Sequence, residues 1–288
     1  MTKALYIFCI LVFCGGLLYH FAALKVFNFV VPKDQGSQLR AANLAYGTNP
    51  NQKLDIYEPK SNAGNLPILI FVHGGSWAAG SQTDYEFVGR SFAARGYLTL
   101  VMSYRGLPDS AYPDFIVDVA EAVKWATLNG ADYGGDGKEI FLVGHSAGAY
   151  NVALATLDQH YLNDAGVDPL VVKAVATLAG PFDFLPLDSP ATIATFGHLN
   201  DLAATQPINF ARADAPPFLL LYGLKDKTVY PKNSRSLQAH LMAAGAKATL
   251  IEYEDVTHVG ILLDLAKPLR GNAPMLEDID RFFKGILQ

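Results

Sequence analysis

A chain of 288 residues that is 51% hydrophobic can bury a large core within one α/β domain. Its 22 basic and 27 acidic side chains leave a net charge of −5, and no basic run or internal repeat is present, so a nucleic-acid partner is not indicated. Both cysteines, Cys9 and Cys14, lie in the amino-terminal apolar stretch, so the rest of the chain has neither a disulfide nor a CxxC metal pair.

The run from Ala4 to Leu24 is 21 residues long, interrupted by Tyr6, Tyr19 and His20, and matches the roughly 20 residues that cross a hydrocarbon core. Lys3 precedes it and Lys25 follows it. Residues 1–24 therefore read as a transmembrane anchor or a signal segment, with a buried core helix as the alternative. The poor cleavage candidate Phe21-Ala22-Ala23 favours an uncleaved anchor. The protein is expected to be membrane-anchored or exported. Orientation stays open, because Lys3 and the amino terminus balance Lys25, Lys33 and Arg40.

Residues 25–42 read as a connector, with a polar stretch from Pro32 to Gln38, and residues 43–288 as the folded domain. Asn43–Tyr46 and Lys53–Tyr57 are predicted as opening strands across the turn Gly47-Thr48-Asn49-Pro50-Asn51. Ile68–Val72 is a continuous apolar run, the signature of a buried parallel strand. A helix over Tyr85–Arg95, a strand over Tyr97–Ser103 and an amphipathic helix over Pro113–Leu128 follow. Further strands are predicted at Ile140–Val143, Val171–Leu178, Phe218–Tyr222 and Ala248–Tyr253, and further helices at Asn233–Ala244 and Ala273–Phe283. Pro181 to Pro216 has no regular pattern. It is the one insertion long enough to act as a lid, with Phe182, Phe184, Phe196 and Phe210 as candidate pocket walls. Strands alternating with helices imply a mostly parallel sheet covered on both faces, with ligands at the carboxyl ends of the strands.

Chemistry concentrates in Glu139–Tyr150. Gly144-His145-Ser146-Ala147-Gly148 lies between a predicted strand and a predicted helix, and is the G-x-S-x-G pattern that lifts a serine hydroxyl above a sheet on a sharp turn. Glycine at both flanks lets helix and strand approach closely. A serine hydroxyl is a poor nucleophile until a base takes its proton. Of seven histidines, His258 is the candidate base, because it follows the last strand on a loop that can reach over the sheet. Asp226, after the preceding strand, is the candidate orienting carboxylate; Asp255 and Glu254 are weaker rivals on the histidine's own loop. The strand at Ile68–Val72 runs into His73-Gly74-Gly75-Ser76-Trp77, whose glycines free backbone N–H groups to hold an oxyanion. Gly75 and Ser76 are the expected donors, with Gly74 as a further candidate and Ala147 completing the set. His73 is read as a brace for its loop.

From about Lys53 onward the chain resembles the α/β-hydrolases of the esterase group that carries H-G-G-x-W with G-H-S-A-G, and Leu54-Asp55-Ile56-Tyr57-Glu58-Pro59 matches how such chains begin. The order Ser146, Asp226, His258 is that group's order. Carboxylesterases of the hormone-sensitive-lipase type and kynurenine-formamidase-like amidohydrolases are the two branches it suggests. Ser76 stands where the lipase-type loop has a third glycine, and His145 where that branch usually has aspartate; both lean toward the H-G-G-x-W branch. The resemblance implies an α/β-hydrolase fold, a Ser-His-Asp acyl-enzyme mechanism without metal or organic cofactor, and small or medium acyl or aryl esters as substrates. Formamide or peptide cleavage is the alternative, and a noncatalytic binding protein of the same fold a more distant one.

Overall fold

A computed structural model describes residues 22–61 and 64–288. Eight strands form one sheet in the order β1-β2-β4-β3-β5-β6-β7-β8. They are β1 (Ser37–Ala45), β2 (Lys53–Pro59), β3 (Leu66–Val72), β4 (Leu98–Met102), β5 (Gly135–His145), β6 (Val172–Leu178), β7 (Phe218–Gly223) and β8 (Ala248–Tyr253). Only the β1–β2 and β2–β4 pairs are antiparallel; from β4 to β8 every pair is parallel. The expected alternation of strands and helices is present.

The period of two along the central strands divides the core. Ile68, Ile70 and Val72 of β3 face the helices Asp114–Asn129 and Ala147–Leu157, while Leu69 and Phe71 face Glu86–Ala93 and Met275–Ile286. With both faces covered, Ile68–Val72 of β3 and Ile140–Val143 of β5 are fully buried, which is why each reads as an unbroken apolar run. At the exit of β4, the buried Asp118 carboxylate takes Arg105 through two guanidinium nitrogens at 2.9 and 2.7 Å and Gln52 Nε2 at 2.7 Å. This pairing ties the loop after β4 to the helix that follows it.

Several expectations are corrected. β1 starts at Ser37, inside the stretch read as connector, because an exposed edge strand carries no alternating apolar signal. Residues 22–30 are helical, so residues 25–42 are not a plain connector. Asn28 anchors this helix, donating to the Thr83 carbonyl and accepting from the Phe87 N–H, and Phe27 packs edge-on against Phe87 at 5.3 Å. The Asp34–Arg270 ion pair, at 2.6 Å, fixes the chain just beyond. Residues 1–21, most of the proposed anchor, lie outside the described residues, and no helix among the described residues is long and apolar enough to cross a membrane. The insertion from 181 to 216 holds a helix, Pro190–Phe196, started by a capping box between Ser189 and Thr192, and two short 3-10 turns.

Candidate active site

Ser146 sits where β5 turns into the helix Ala147–Leu157, at φ 53° and ψ −120°. A non-glycine residue holds such a conformation only where its surroundings fix it, and the Ser146 N–H does so by donating to the Leu178 carbonyl at 2.8 Å. A methyl group at Gly148 would lie 2.1 Å from the Val72 carbonyl oxygen, and one at Gly144 would lie 2.4 Å from that of Gly148. The flanking glycines are thus the condition for the turn to close.

Two neighbouring strands deliver the partners. The loop after β7 carries Asp226 and the loop after β8 carries His258, and His258 Nδ1 lies 2.7 Å from Asp226 Oδ2. Its Nε2 lies 2.9 Å from Ser146 Oγ. The Asp226 side chain is wholly buried, and its other oxygen accepts the Thr228 and Val229 N–H groups at 2.7 and 2.9 Å. A carboxylate only accepts, so Nδ1 of neutral His258 carries the proton and Nε2 is free to accept the serine hydroxyl. Asp255, the rival acid, is 85% exposed and paired with Lys225.

The loop after β3 approaches from the other side. Gly75, Ser76 and Trp77 all adopt positive φ, at 133°, 53° and 55°. Gly74 is pressed against the turn, since a Cβ there would lie 3.0 Å from the Ser146 Cβ. No acceptor among the described residues takes the N–H groups of Gly74, Gly75, Ser76 or Ala147. His73 braces this loop: it is sandwiched between Tyr85 and Tyr104, and its Nδ1–H donates to the Gly74 carbonyl at 2.7 Å. Burial lowers its pKa to about 4. Trp77 Nε1 donates to Asn151 Oδ1 at 3.0 Å, which locks the indole beside Tyr150 and Phe196.

The cleft over Ser146 is small, about 110 Å³, and is lined by Ser76, Trp77, Phe184, Val229 and Tyr230 among others. Of the four phenylalanines proposed as pocket walls, only Phe184 reaches it. Phe182 and Phe196 are buried in packing, and Phe210 lies at the edge of the core. A larger polar cavity of about 510 Å³ lies behind the Trp77 loop and does not touch Ser146, which faces the smaller cleft. Among the described residues three further histidines stay away from the serine: His160 pairs with Asp158, His240 caps its own helix turn, and His198 is exposed. His145 was assigned only to its loop by the sequence. It is buried, and its Nε2 lies 3.0 Å from the His258 carbonyl oxygen. Its place before the serine was the one available signal, since its partner is 113 residues away.

Comparison with known proteins points the same way. A family model described as BD-FAE matches residues 54–241. A probable isoprenylcysteine alpha-carbonyl methylesterase of Arabidopsis thaliana is 28% identical over 263 residues, 82% of this chain and 54% of the relative. Esterase LipC of Mycobacterium tuberculosis is 31% identical over 244 residues, 77% of this chain and 60% of the relative. The chain spans 54% to 62% of the length of the plant methylesterases that it matches. Among solved structures, esterase B from Lactobacillus rhamnosis inhibited by a tributyrin phosphonate superposes with a TM-score of 0.84 at 20% identity, covering 99% of this chain and 96% of that one. A truncated carbohydrate esterase from gut microbiota gives 0.78 at 22% identity, covering 89% and 99%. These two likenesses establish the shared fold.

Proposed function

The chain belongs to the BD-FAE family, and on that footing we propose that it hydrolyses carboxylic esters through an acyl-enzyme formed on Ser146. The observation that carries this reading is the unbroken relay from Asp226 through His258 to Ser146, at 2.7 and 2.9 Å, ending under free backbone N–H groups. His258 Nε2 takes the hydroxyl proton as Ser146 Oγ bonds to the ester carbonyl carbon. The carbonyl π electrons move to oxygen, and the N–H groups of Gly75, Ser76 and Ala147 receive the resulting oxyanion, with Gly74 packing the loop against the turn. The oxyanion collapses, the C–O bond to the alcohol breaks, and His258 returns its proton to the leaving oxygen. Water, deprotonated by the same nitrogen, then repeats the sequence on the acyl-enzyme and releases the acid. Asp226 holds the useful tautomer and faces the imidazolium charge when it forms.

Substrates are esters with a small or medium acyl or aryl group. Support comes from the cleft, whose 110 Å³ is closed by Trp77 and Phe184. That volume lies well below the roughly 300–1,000 Å³ of sites that engulf a drug-sized ligand. Several relatives are named esterases or methylesterases, which supports the ester bond over an amide. For location, we infer that residues 4–24 tether the protein to a membrane. The helix over 22–30 leaves Val26, Phe29 and Val30 exposed at 62%, 87% and 65%, a surface suited to the lipid boundary, which supports this reading.

The test is a panel of p-nitrophenyl esters and N-formyl anilides offered to the full-length protein and to its Ser146→Ala variant. Ester turnover that disappears in the variant is the expected result. Turnover of the formyl anilides alone would replace the ester reading with amide hydrolysis, and no turnover of either by folded protein would overturn both.

A further inference from the structure

The carbonyl of His258 is bypassed by the helix turn that follows it. Ile261 N–H donates to Thr257, and the N–H groups of Leu262 and Leu263 both go to Val259. The partner of that carbonyl is His145, whose Nε2 lies 3.0 Å away, with the two rings 5.1 Å apart and tilted by 40°. A carbonyl can only accept, so His145 carries its proton on Nε2 and leaves Nδ1 bare. Nδ1 is buried without a partner and sits against Gly74, where a Cβ would lie 2.9 Å from it. His145 thus occupies the seam between the turn that presents the serine, the oxyanion loop and the loop that carries the base.

We propose that His145 is a positioning residue for the ester hydrolysis described above: its Nε2–H fixes the main chain of His258 and so sets the height of the catalytic imidazole over Ser146. This inference rests on that reading of the site. β5 ends with His145 immediately before Ser146, so one hydrogen bond makes nucleophile and base move as a unit rather than on two independent loops. The Asp226 contact holds the imidazole at Nδ1, and the bond to the carbonyl holds the main chain from which that imidazole hangs. The arrangement also keeps cationic charge in one place. The titratable groups around His145 are His258, Asp226 and His73, and burial first, then repulsion from His258, lowers its pKa to about 3. His145 therefore stays neutral while His258 gains and loses a proton.

The test compares His145→Gln, whose amide N–H can reach the same carbonyl, with His145→Phe, which fills the space without a donor, alongside wild type and Ser146→Ala. In His145→Phe, kcat is expected to fall about 10–100-fold with KM within about threefold, the scale of a misplacement near 1 Å. His145→Gln is expected to recover most of that loss. Equal losses in both variants, or a folded His145→Phe with wild-type kcat, would overturn the proposal. Should His145→Phe not fold, the wild-type protein decides: ¹⁵N imidazole spectra must report His145 as the neutral Nε2–H tautomer from pH 5 to 9, and an Nδ1–H tautomer or a protonated ring in that range would overturn it. Loss of the underlying reading is separate, since it would appear as no Ser146-dependent turnover in wild type.

Discussion

Replacing Asp226 with asparagine changes almost nothing in shape and reverses the chemistry of the relay. The buried side chain keeps one oxygen to accept the Thr228 and Val229 N–H groups, now at 2.7 and 2.9 Å, so the loop stays anchored. The other oxygen, 2.7 Å from His258 Nδ1, becomes an NH₂ that can only donate. His258 must then present a bare Nδ1 and move its proton to Nε2, where it points at Ser146 Oγ, 2.9 Å away. A protonated Nε2 cannot take the serine proton. In serine hydrolases generally this tautomer switch costs about 10⁴ in kcat, or roughly 5.4 kcal/mol at 1.36 kcal/mol per decade. Stability should change far less: a loss near 1 kcal/mol lowers the melting temperature by about 2–4 °C in a domain of this size. The assay is p-nitrophenyl acetate hydrolysis beside a melting curve. A variant that keeps more than a tenth of wild-type kcat with an unchanged melting temperature would refute the assignment of Asp226 as the orienting carboxylate.

Other consequences follow from the same geometry. Gly148→Ala places a methyl 2.1 and 2.4 Å from the carbonyl oxygens of Val72 and His73, both backbone, so strand and helix must part by more than 1 Å. The expected result is at least about 1–3 kcal/mol lost in stability and a fall near 10² in kcat, and a wild-type melting curve would contradict the close packing. Phe184→Val widens the cleft wall and should raise the ratio of hexanoyl to acetyl ester turnover about 10-fold, whereas an unchanged ratio would remove Phe184 from the acyl site. Acid should destabilise the fold through His73 and His145, whose burial lowers their pKa to about 4 and about 3. Between those values and about 6.5 the unfolded imidazoles bind protons that the folded ones refuse, so stability is full above pH 6.5 and falls by roughly 1.4 kcal/mol per unit for each as pH drops. Asp55, Asp84 and Asp264, whose carboxyls burial pushes up, oppose that loss. Chemical denaturation from pH 7 to 4 measures the slope; it should become shallower by one proton in His145→Gln, and an identical slope would contradict the buried neutral state of His145.

The central sheet was readable because Ile68–Val72 of β3 and Ile140–Val143 of β5 are covered on both faces and so form unbroken, fully buried apolar runs. Candidates for the proposed nucleophile, base and carboxylate could be picked out because those roles demand particular residue types, and a parallel sheet offers them few places, the ends of its strands. Ser146, Asp226 and His258 stand at three such ends, and the structure brings them within hydrogen-bond reach. What escaped depends on contacts distant in sequence or on weak local signals. β1 is an exposed edge whose residues need no pattern. The helix Pro190–Phe196 did leave a mark, serine then proline then threonine at the capping positions, inside a stretch whose lack of periodicity hid it. Phe182 and Phe196 could not be told from Phe184 by composition, since all three belong to one buried core cluster and only Phe184 lines the cleft. The bond from His145 to the His258 carbonyl needs the fold itself, because nothing in either segment names the other.

The most direct test of the relay is covalent. An alkyl p-nitrophenyl phosphonate, which places a tetrahedral phosphorus where the acyl carbon would react, is incubated with the full-length protein, and the modified residue is located by peptide mass spectrometry. One phosphonyl group per chain on Ser146, with ester hydrolysis lost in step and labelling at least about 100-fold slower in His258→Ala, is the expected result. Modification of another residue, or labelling of Ser146 that is indifferent to His258, would contradict a nucleophile activated by the Asp226–His258 relay.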